Sequence, residues 1–446
     1  MMQLPDRRSS IALFLLICLA VSGCSLPSWM GGKKTEKVKL AGERIAVLPV
    51  GTALTPDAEL KDVPVTLPPA NANAEWPQHS GFLTPATANL AGGAFDHITS
   101  ATAGDGEEFV STLIPKPVVA GGMVFAMDAV GNISAHDASD ISKVRWQSKG
   151  VSEHKKPQII GGGLAFADGK LYVVSGRGIV AAFDAATGKE IWRKTMHTPL
   201  RSAPKVDGGK IFIVSLDNQF FALNAANGEV IWDHRGIEET AEILKSVSPA
   251  VSGETVIAPY SSGEIYALST TDGKEIWSDS LSSREHTQAG LFSGIGGDPL
   301  IDGAVVITVS SSNMIAVYAL ANGQHLWERP IGSLNTPWLA GDYLFVLSND
   351  NTLVCFAKFS GKIKWASKLQ DFAKVKEKRE PITWRGPVLS DGRLVVVGST
   401  GQLLLVNAAD GKVTSKEIPK NIYTGPVVVG GRMYLIGQDA KLYQLQ

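Results

Sequence analysis

A glycine followed four residues later by a tryptophan returns along most of this chain. Gly188/Trp192, Gly228/Trp232, Gly273/Trp277, Gly323/Trp327 and Gly361/Trp365 are successive copies. A second landmark keeps step with the first. Pro204, Pro249, Pro299, Pro337 and Pro387 each stand 28 positions before Trp232, Trp277, Trp327, Trp365 and Ser415. Pro117 and Trp146 frame an earlier copy that is one residue longer, and a further copy runs over residues 163–192 with Gly163 where proline is expected. A unit of about 40 to 50 residues that repeats with this rigidity predicts a β-propeller, in which each unit is one blade.

The copy beginning at Pro204 shows how a blade is written. Strands are expected at 204–206, 210–215, 219–224 and 229–232, with turns at Asp207-Gly208-Gly209, Asp217-Asn218 and Ala226-Asn227-Gly228. Such dipeptides suit tight antiparallel hairpins because they tolerate positive φ. The alternation of Ile211 with Ile213 and of Phe221 with Leu223 puts apolar side chains on shared faces. One such sheet cannot bury both faces alone, whereas a ring of them can.

The final copy has strands at 426–429, 433–436 and 442–445 and then stops at Gln446, without its Trp strand. The missing strand is expected from the other end of the chain, at Ala74-Glu75-Trp76. The expected fold is therefore all-β, an eight-bladed β-propeller of four-stranded antiparallel blades over residues 74–446. Its eighth blade is closed by this N-terminal strand, which removes the open sheet edges. The periodic indoles have two readings, as wedges between blades or as the lining of a quinone site. Ser415 in place of Trp predicts one looser joint.

Residues 1–23 read as a signal peptide. Arg7 and Arg8 precede an apolar run over 11–21, which is too short to span a bilayer, and Val21-Ser22-Gly23-Cys24 follows. Those four residues resemble a bacterial lipobox, which implies cleavage before Cys24 and lipidation of that cysteine. Ser25, rather than Asp, directs such a lipoprotein to the outer membrane. Residues 24–73 read as a lipidated flexible tether with local docking, and Pro56, Pro64, Pro68 and Pro69 favour extended backbone in it. The net charge of −1 offers no basic field for nucleic acid. Cys18 falls in the leader, and Cys355, among apolar strand residues, reads as a buried inert thiol.

The combination of Pro-x-x-x-Asp-Gly, a central Ala222-Leu223-Asn224-Ala225 or Ala182-Phe183-Asp184-Ala185, and Gly-x-x-x-Trp resembles quinoprotein-like propeller repeats. Joined to the lipobox, it resembles the BamB family, lipoproteins of the machinery that assembles outer-membrane β-barrel proteins. The resemblance implies a non-enzymatic scaffold that binds the POTRA domains of BamA, works beside the other BAM subunits and assists unfolded outer-membrane protein clients. In that family a Leu-x-Leu-Arg stretch on the connection into the fourth blade contacts BamA. This chain has Ile243, Leu244 and Lys245 there, which match in apolar character and in one cation but lack the Arg. The alternative is that Ile243 and Leu244 simply tuck beneath their loop. The family's paired acidic residues on the next connection are unmatched. Gly294 and Gly296 occupy that region, and Arg284, Glu285 and Asp298 are the nearby charges.

Three connections are long, at 233–248, 278–298 and 366–386, and long loops on a rigid scaffold are the usual carriers of recognition. In the last of them, residues 369–376 are expected to make one or two helical turns with Leu369, Phe372, Ala373 and Lys376 on one side. The competing function is a quinoprotein dehydrogenase. That chemistry needs calcium-binding carboxylates in the central funnel and often an adjacent cysteine pair, which the chain lacks. The eight histidines show no metal-ligand spacing. No cofactor is therefore expected. A polysaccharide-binding envelope propeller is a third reading.

Overall fold

The computed structural model describes residues 54–80, 89–106, 115–151, 161–238, 246–281 and 294–446. Cys24, Ile243, Leu244, Lys245, Arg284 and Glu285 all lie outside the described residues.

Antiparallel sheets follow one another along the chain in the order in which the repeats were read. Sheet 1 comprises Val118–Ala120, Met123–Met127, Ile133–Asp137 and Val144–Ser148. Sheets 2 to 6 occupy 162–195, 205–235, 250–280, 300–329 and 338–368 in the same four-strand meander. Sheet 7 spans 384–417 and carries two short parallel additions, Asn89–Leu90 and Ala70–Asn71. Among the described residues this gives seven four-stranded sheets, one six-stranded sheet and a two-stranded hairpin. The architecture is that of a β-propeller. The middle strands are buried on both faces, as in Ile211, Phe212, Ile213 and Val214, while outer strands such as Val230–Arg235 are mostly exposed.

Sheet 8 corrects one expectation. Val427–Val429, Arg432–Ile436 and Lys441–Leu445 are completed by Ile98–Thr102, with Ile98 opposite Leu445 and Thr102 opposite Lys441. A strand from the N-terminal side does close this sheet, but Trp76 is not in it. Trp76 instead forms an isolated antiparallel bridge with Val119 of sheet 1 and is 2% exposed. The physical reason lies in the burial patterns. An outer strand is largely solvated, and Ile98–Thr102 alternates between exposed and half-buried positions. A fully buried indole belongs with the inner strands.

The periodic tryptophans join the sheets. Each indole Nε1 donates to a carbonyl of the following sheet: Trp146 to Ala185 at 2.9 Å, Trp192 to Ala225 at 3.1 Å and Trp232 to Thr270 at 3.1 Å. Trp277 reaches Leu320 at 2.7 Å, Trp327 reaches Lys358 at 2.6 Å and Trp365 reaches Ala408 at 2.9 Å. The motif glycine of the following sheet lies against the same ring. A Cβ added to Gly228 would come within 2.6 Å of Trp192, and one added to Gly273 within 2.6 Å of Trp232. Across its own sheet each Trp faces a small residue: Ala135, Ala182, Ala222, Ala267, Val317 or Cys355. That position accounts for Cys355, a free and fully buried thiol whose pKa burial pushes up. The wedge reading of the indoles therefore describes these six.

Two joints lack a Trp and are filled differently. Between sheets 7 and 8, where Ser415 predicted looseness, residues 92–97 lie across the gap. Lys416 bonds to the Ala94 carbonyl and the Asp96 carboxylate, and Asp96 N–H donates to the Gln446 carbonyl at 2.8 Å. Phe95 is 2% exposed, in the same apolar cluster as Leu404 and Leu445. This aromatic comes from another part of the chain, so the joint is not left empty. Between sheets 8 and 1 the Ala138 carbonyl stands where the indole acceptors stand in the other sheets. It accepts from Tyr434 Oη at 2.7 Å and from Gln444 Nε2 at 2.9 Å.

Part of the expected tether is seated on the sheets. Asp57 exchanges two bonds with Ile363, and Lys362 pairs with Glu59. Tyr343 Oη donates to the Pro64 carbonyl at 3.1 Å. Asn73 bonds to Val428 and Gly430. These contacts are the form that local docking takes over residues 57–73.

Candidate functional site

Among the described residues, the connections from an outer strand to the next inner strand depart from the same end of their sheets, and two features share that face. The first is the set of long connections. In the connection at 233–248, the first arm is fixed by its neighbours. Ile237 N–H donates to Glu264 Oε2 at 2.7 Å, and Asn218 Nδ2 donates to the Ile237 carbonyl at 2.7 Å. The Ile237 side chain remains 60% exposed. At the other end Ser246 Oγ donates to the Gly162 carbonyl at 2.9 Å. In the connection at 278–298, Gly296 answers for the absent acidic pair. A Cβ there would stand 2.0 Å from the Ser333 carbonyl oxygen, so no side chain fits.

The connection at 366–386 is a β-hairpin, not helical turns. Phe372–Lys374 pairs with Arg379–Pro381, and Lys374 forms an ion pair with Glu380. Lys378 and Glu380, just past the stretch expected to be helical, adopt φ of 51° and 57°, which permits the reversal. Its base is buried. Trp384 Nε1 donates to the Gln370 carbonyl at 2.8 Å, and Ile382 N–H donates to the Asp371 carbonyl at 2.9 Å. Its tip is exposed, with Val375 61% accessible among Lys376, Glu377 and Lys378. A buried base thus carries an exposed apolar and charged tip.

The second feature lies where the inner strands converge. Residues 73–79 enter at the C-terminal ends of the inner strands and run toward their N-terminal ends. Glu75 Oε1 accepts from Gly121 N–H at 2.9 Å, and Trp76 bridges Val119. Gln78 then exchanges two hydrogen bonds with the Val206 backbone, at 2.9 and 3.1 Å. His79 Nδ1 meets Asp298 Oδ2 at 2.9 Å. Trp76 stacks on Trp338, with ring centroids 6.0 Å apart and planes 21° apart. These rings help wall a cavity of about 270 Å³, which Lys116, Arg385, Pro337 and Pro387 also line.

Of the charges here, Asp298 stands in the sequence analysis only as a charge near the long connection, and Lys116, Lys205 and Arg385 were missed, although a signal was present. Lys116, Lys205 and Asp298 directly flank the periodic prolines Pro117, Pro204 and Pro299, and Arg385 stands two before Pro387. Burial alone would raise the Asp298 carboxyl, but the charge and hydrogen bond of His79, then Lys116, hold it well below the usual range. Ser248 N–H also donates to it, at 2.8 Å. Burial lowers Lys205 to about 8, with Asp298 and Asp207 opposing. Burial likewise lowers Lys116; Asp298 opposes this and Arg385 adds to it. Two other described histidines lie elsewhere. His136 is buried against the Ile141 carbonyl at 2.7 Å, and His325 is exposed beside Asp279. Among the described residues, no three His, Cys, Asp or Glu gather as a metal site, and no helix is long and apolar enough to cross a membrane.

Comparison with known proteins places this geometry. An uncharacterised protein of Rickettsia conorii is 31% identical over 265 residues, which are 58% of this chain and 64% of the relative. The chain thus spans just under two thirds of that relative's length. The outer membrane protein assembly factor BamB of Salmonella typhimurium is 24% identical over 83% of this chain and 91% of its own. The BamB of Yersinia pestis is 25% identical over 74% and 83% respectively. Among solved structures, BamB from Moraxella catarrhalis superposes with a TM-score of 0.65 at 18% identity, over 78% of this chain and 100% of that one. A europium-containing methanol dehydrogenase reaches 0.64 at 12% identity, over 81% of this chain and 89% of its own, which is a likeness of fold alone. The family model described as outer membrane protein assembly factor BamB matches residues 131–367, more than half of the sequence. This chain belongs to the BamB family.

Proposed function

We propose that this protein is a non-enzymatic scaffold of outer-membrane β-barrel assembly. In this reading it is an eight-bladed ring, anchored to the periplasmic face of the outer membrane through lipid on Cys24. It grips the POTRA domains of BamA with the long connections on one face and so assists barrel insertion. The observation that carries the reading is the family match, read together with the connections. Ring joints locked by indoles make a rigid platform, and two of the most exposed apolar side chains among the described residues, Ile237 and Val375, stand on those long connections, while Phe359 stands in a turn within sheet 6. Ile243, Leu244 and Lys245 follow Ile237 by six to eight positions in the sequence of the same connection, and Arg284 and Glu285 belong to the next.

The quinoprotein reading is supported by fold likeness alone. Calcium in such a site takes six to eight oxygens, several of them carboxylate. Among the described residues, the charged side chains that line the axial cavity are instead Lys116 and Arg385 beside His79, and Asp298 is already engaged by His79 and Ser248. These residues do not fit a calcium-bound quinone.

The test is co-purification from detergent-solubilised membranes. Replacing Ile243 and Leu244 together with Glu should lower recovery of BamA about tenfold or more, as loss of a buried apolar anchor would. The thermal transition should stay unchanged. Full recovery of BamA with the double variant would remove that connection from the interface.

A further inference from the structure

Residues 57–78 belong to no repeat, yet they bond to six sheets in succession. Asp57 and the Pro64 carbonyl are held by sheet 6. The next residues lie on sheet 7. The Pro68 carbonyl accepts from Asn89 Nδ2 at 3.2 Å, Ala70–Asn71 pairs with Asn89–Leu90, and Leu90 pairs with Ser390. Asn73 holds sheet 8, donating from Nδ2 to the Val428 carbonyl at 2.8 Å and accepting from Gly430 N–H at 3.0 Å. Glu75 and Trp76 hold sheet 1, and Trp76 exchanges both backbone bonds with Val119 at 2.6 and 2.9 Å. The Pro77 carbonyl accepts from Phe166 N–H of sheet 2 at 2.7 Å, and Gln78 answers both backbone groups of Val206 in sheet 3.

The middle of this segment crosses the place where the circuit of sheets is closed without chain continuity. Sheets 1 to 7 and three strands of sheet 8 follow one another along the chain, and Ile98–Thr102 pairs with Lys441–Leu445 to close the circuit. The indole bonds run from sheet 1 to sheet 2 and onward as far as sheet 7, so the joints on either side of sheet 8 have none of them. Residues 57–73 bind the flank that carries Lys441–Leu445, namely sheets 6, 7 and 8. Residues 75–78 bind the opposite flank, sheets 1, 2 and 3. Trp76 ties the flanks a second time. Its backbone is on sheet 1, while its ring, 2% exposed, stacks on Trp338 of sheet 6 with centroids 6.0 Å apart.

We propose that residues 57–78 are a clasp across this seam, and that the seam opens as a local unit when the clasp is weakened. The clasp bonds to backbone groups of Val119, Val206 and Val428 on the edge of each inner strand that faces away from its sheet partner, so it adds bonds without competing with the sheets. Separating Ile98–Thr102 from Lys441–Leu445 pulls the two flanks apart, and the clasp must release one of them for that to happen. Opening at the seam therefore precedes opening of sheets 4 and 5, which stand furthest from it along the circuit.

Hydrogen–deuterium exchange of the full chain, read by mass spectrometry where rates follow the opening equilibrium, tests this. The double variant Asn73→Ala with Gln78→Ala removes side-chain bonds on both flanks and leaves the paired strands at 98–102 and 441–445 unaltered. Amides of those two strands should exchange about tenfold faster or more, the worth of one or two net hydrogen bonds. Amides over 255–269 and 305–319 should change by less than about twofold. Gln78→Ala alone should give the same pattern with a smaller rise, and it carries the test if the double variant does not fold. Tyr318→Phe, which removes a 2.7 Å bond to Asp279 between sheets 4 and 5, should leave 98–102 and 441–445 at the parent's rate. The proposal fails if the clasp variants leave the two paired strands at the parent's rate. It fails if 255–269 and 305–319 accelerate equally, since the segment is then a general brace. It fails also if Tyr318→Phe speeds the paired strands as much as the clasp variants do.

Discussion

If the motif glycine exists to seat the preceding sheet's indole, the cost of a side chain there must depend on that indole. Gly273 is the case to work through. It adopts φ of +73°, and an added Cβ would lie 2.6 Å from Cε3 and 2.8 Å from Cδ2 of Trp232. Gly273→Ala therefore meets two penalties. Left-handed backbone with a Cβ costs about 1–2 kcal/mol. Forcing the indole aside in a packed joint adds about 1–3 kcal/mol. Trp232→Ala alone should cost about 3–5 kcal/mol, since the ring is 8% exposed and its loss also orphans the Thr270 carbonyl. In the double variant the steric term vanishes and the backbone term remains. The two substitutions should then fall short of additivity by about 1–3 kcal/mol. Urea denaturation of the four proteins, with slopes compared for equality, gives the cycle. Additivity within about 0.5 kcal/mol would mean that Gly273 serves its turn only, and the account of the joint would be wrong.

The latch between sheets 8 and 1 should behave as a joint of its own. Tyr434→Phe removes the 2.7 Å bond to Ala138 and should lower stability by about 1 kcal/mol, and Gln444→Leu in addition should leave that carbonyl unanswered and cost more than the sum. Thermal denaturation reads both, and an unaffected double variant would deny the latch. Lys205 sets a pH response. Its folded pKa, lowered by burial to about 8, lies below the ordinary lysine value of 10.5, so the unfolded chain binds the extra proton between them. Stability should therefore rise with pH from about 8 toward 10. Lys205→Met should flatten that rise, and an unchanged slope would place the effect elsewhere.

The sheets were legible because their signal is local and repeated. Turn glycines, alternating apolar residues and a tryptophan at fixed spacing fixed the strands of 204–232 to within a few residues. What escaped was non-local. Ile98–Thr102 carries neither Gly nor Trp, and nothing in its five residues tells that Leu445 waits opposite it. Trp76 imitated the motif by its identity while its burial belonged to the axis. Phe95 replaced a missing indole from some 320 positions away in the chain, beyond any window of pattern reading. The hairpin at 372–381 lost to a helical reading because the periodicity of Leu369, Phe372 and Ala373 was visible, while positive φ at Lys378 and Glu380 was not. For the axial site the charges were in plain view beside the prolines, but only convergence of the inner strands makes neighbours of Lys116, Asp298 and Arg385.

The pairing of Ile98–Thr102 with Lys441–Leu445 has a temporal side. A ribosome adding about 5–20 residues each second reaches Leu445 roughly 20–70 s after Ile98. For that interval the earlier strand has no mate, so sheet 8 cannot be completed until the last residues have been made. A chain cut short ahead of Lys441 therefore leaves Ile98–Thr102 without its partner strand, however sound its other sheets are.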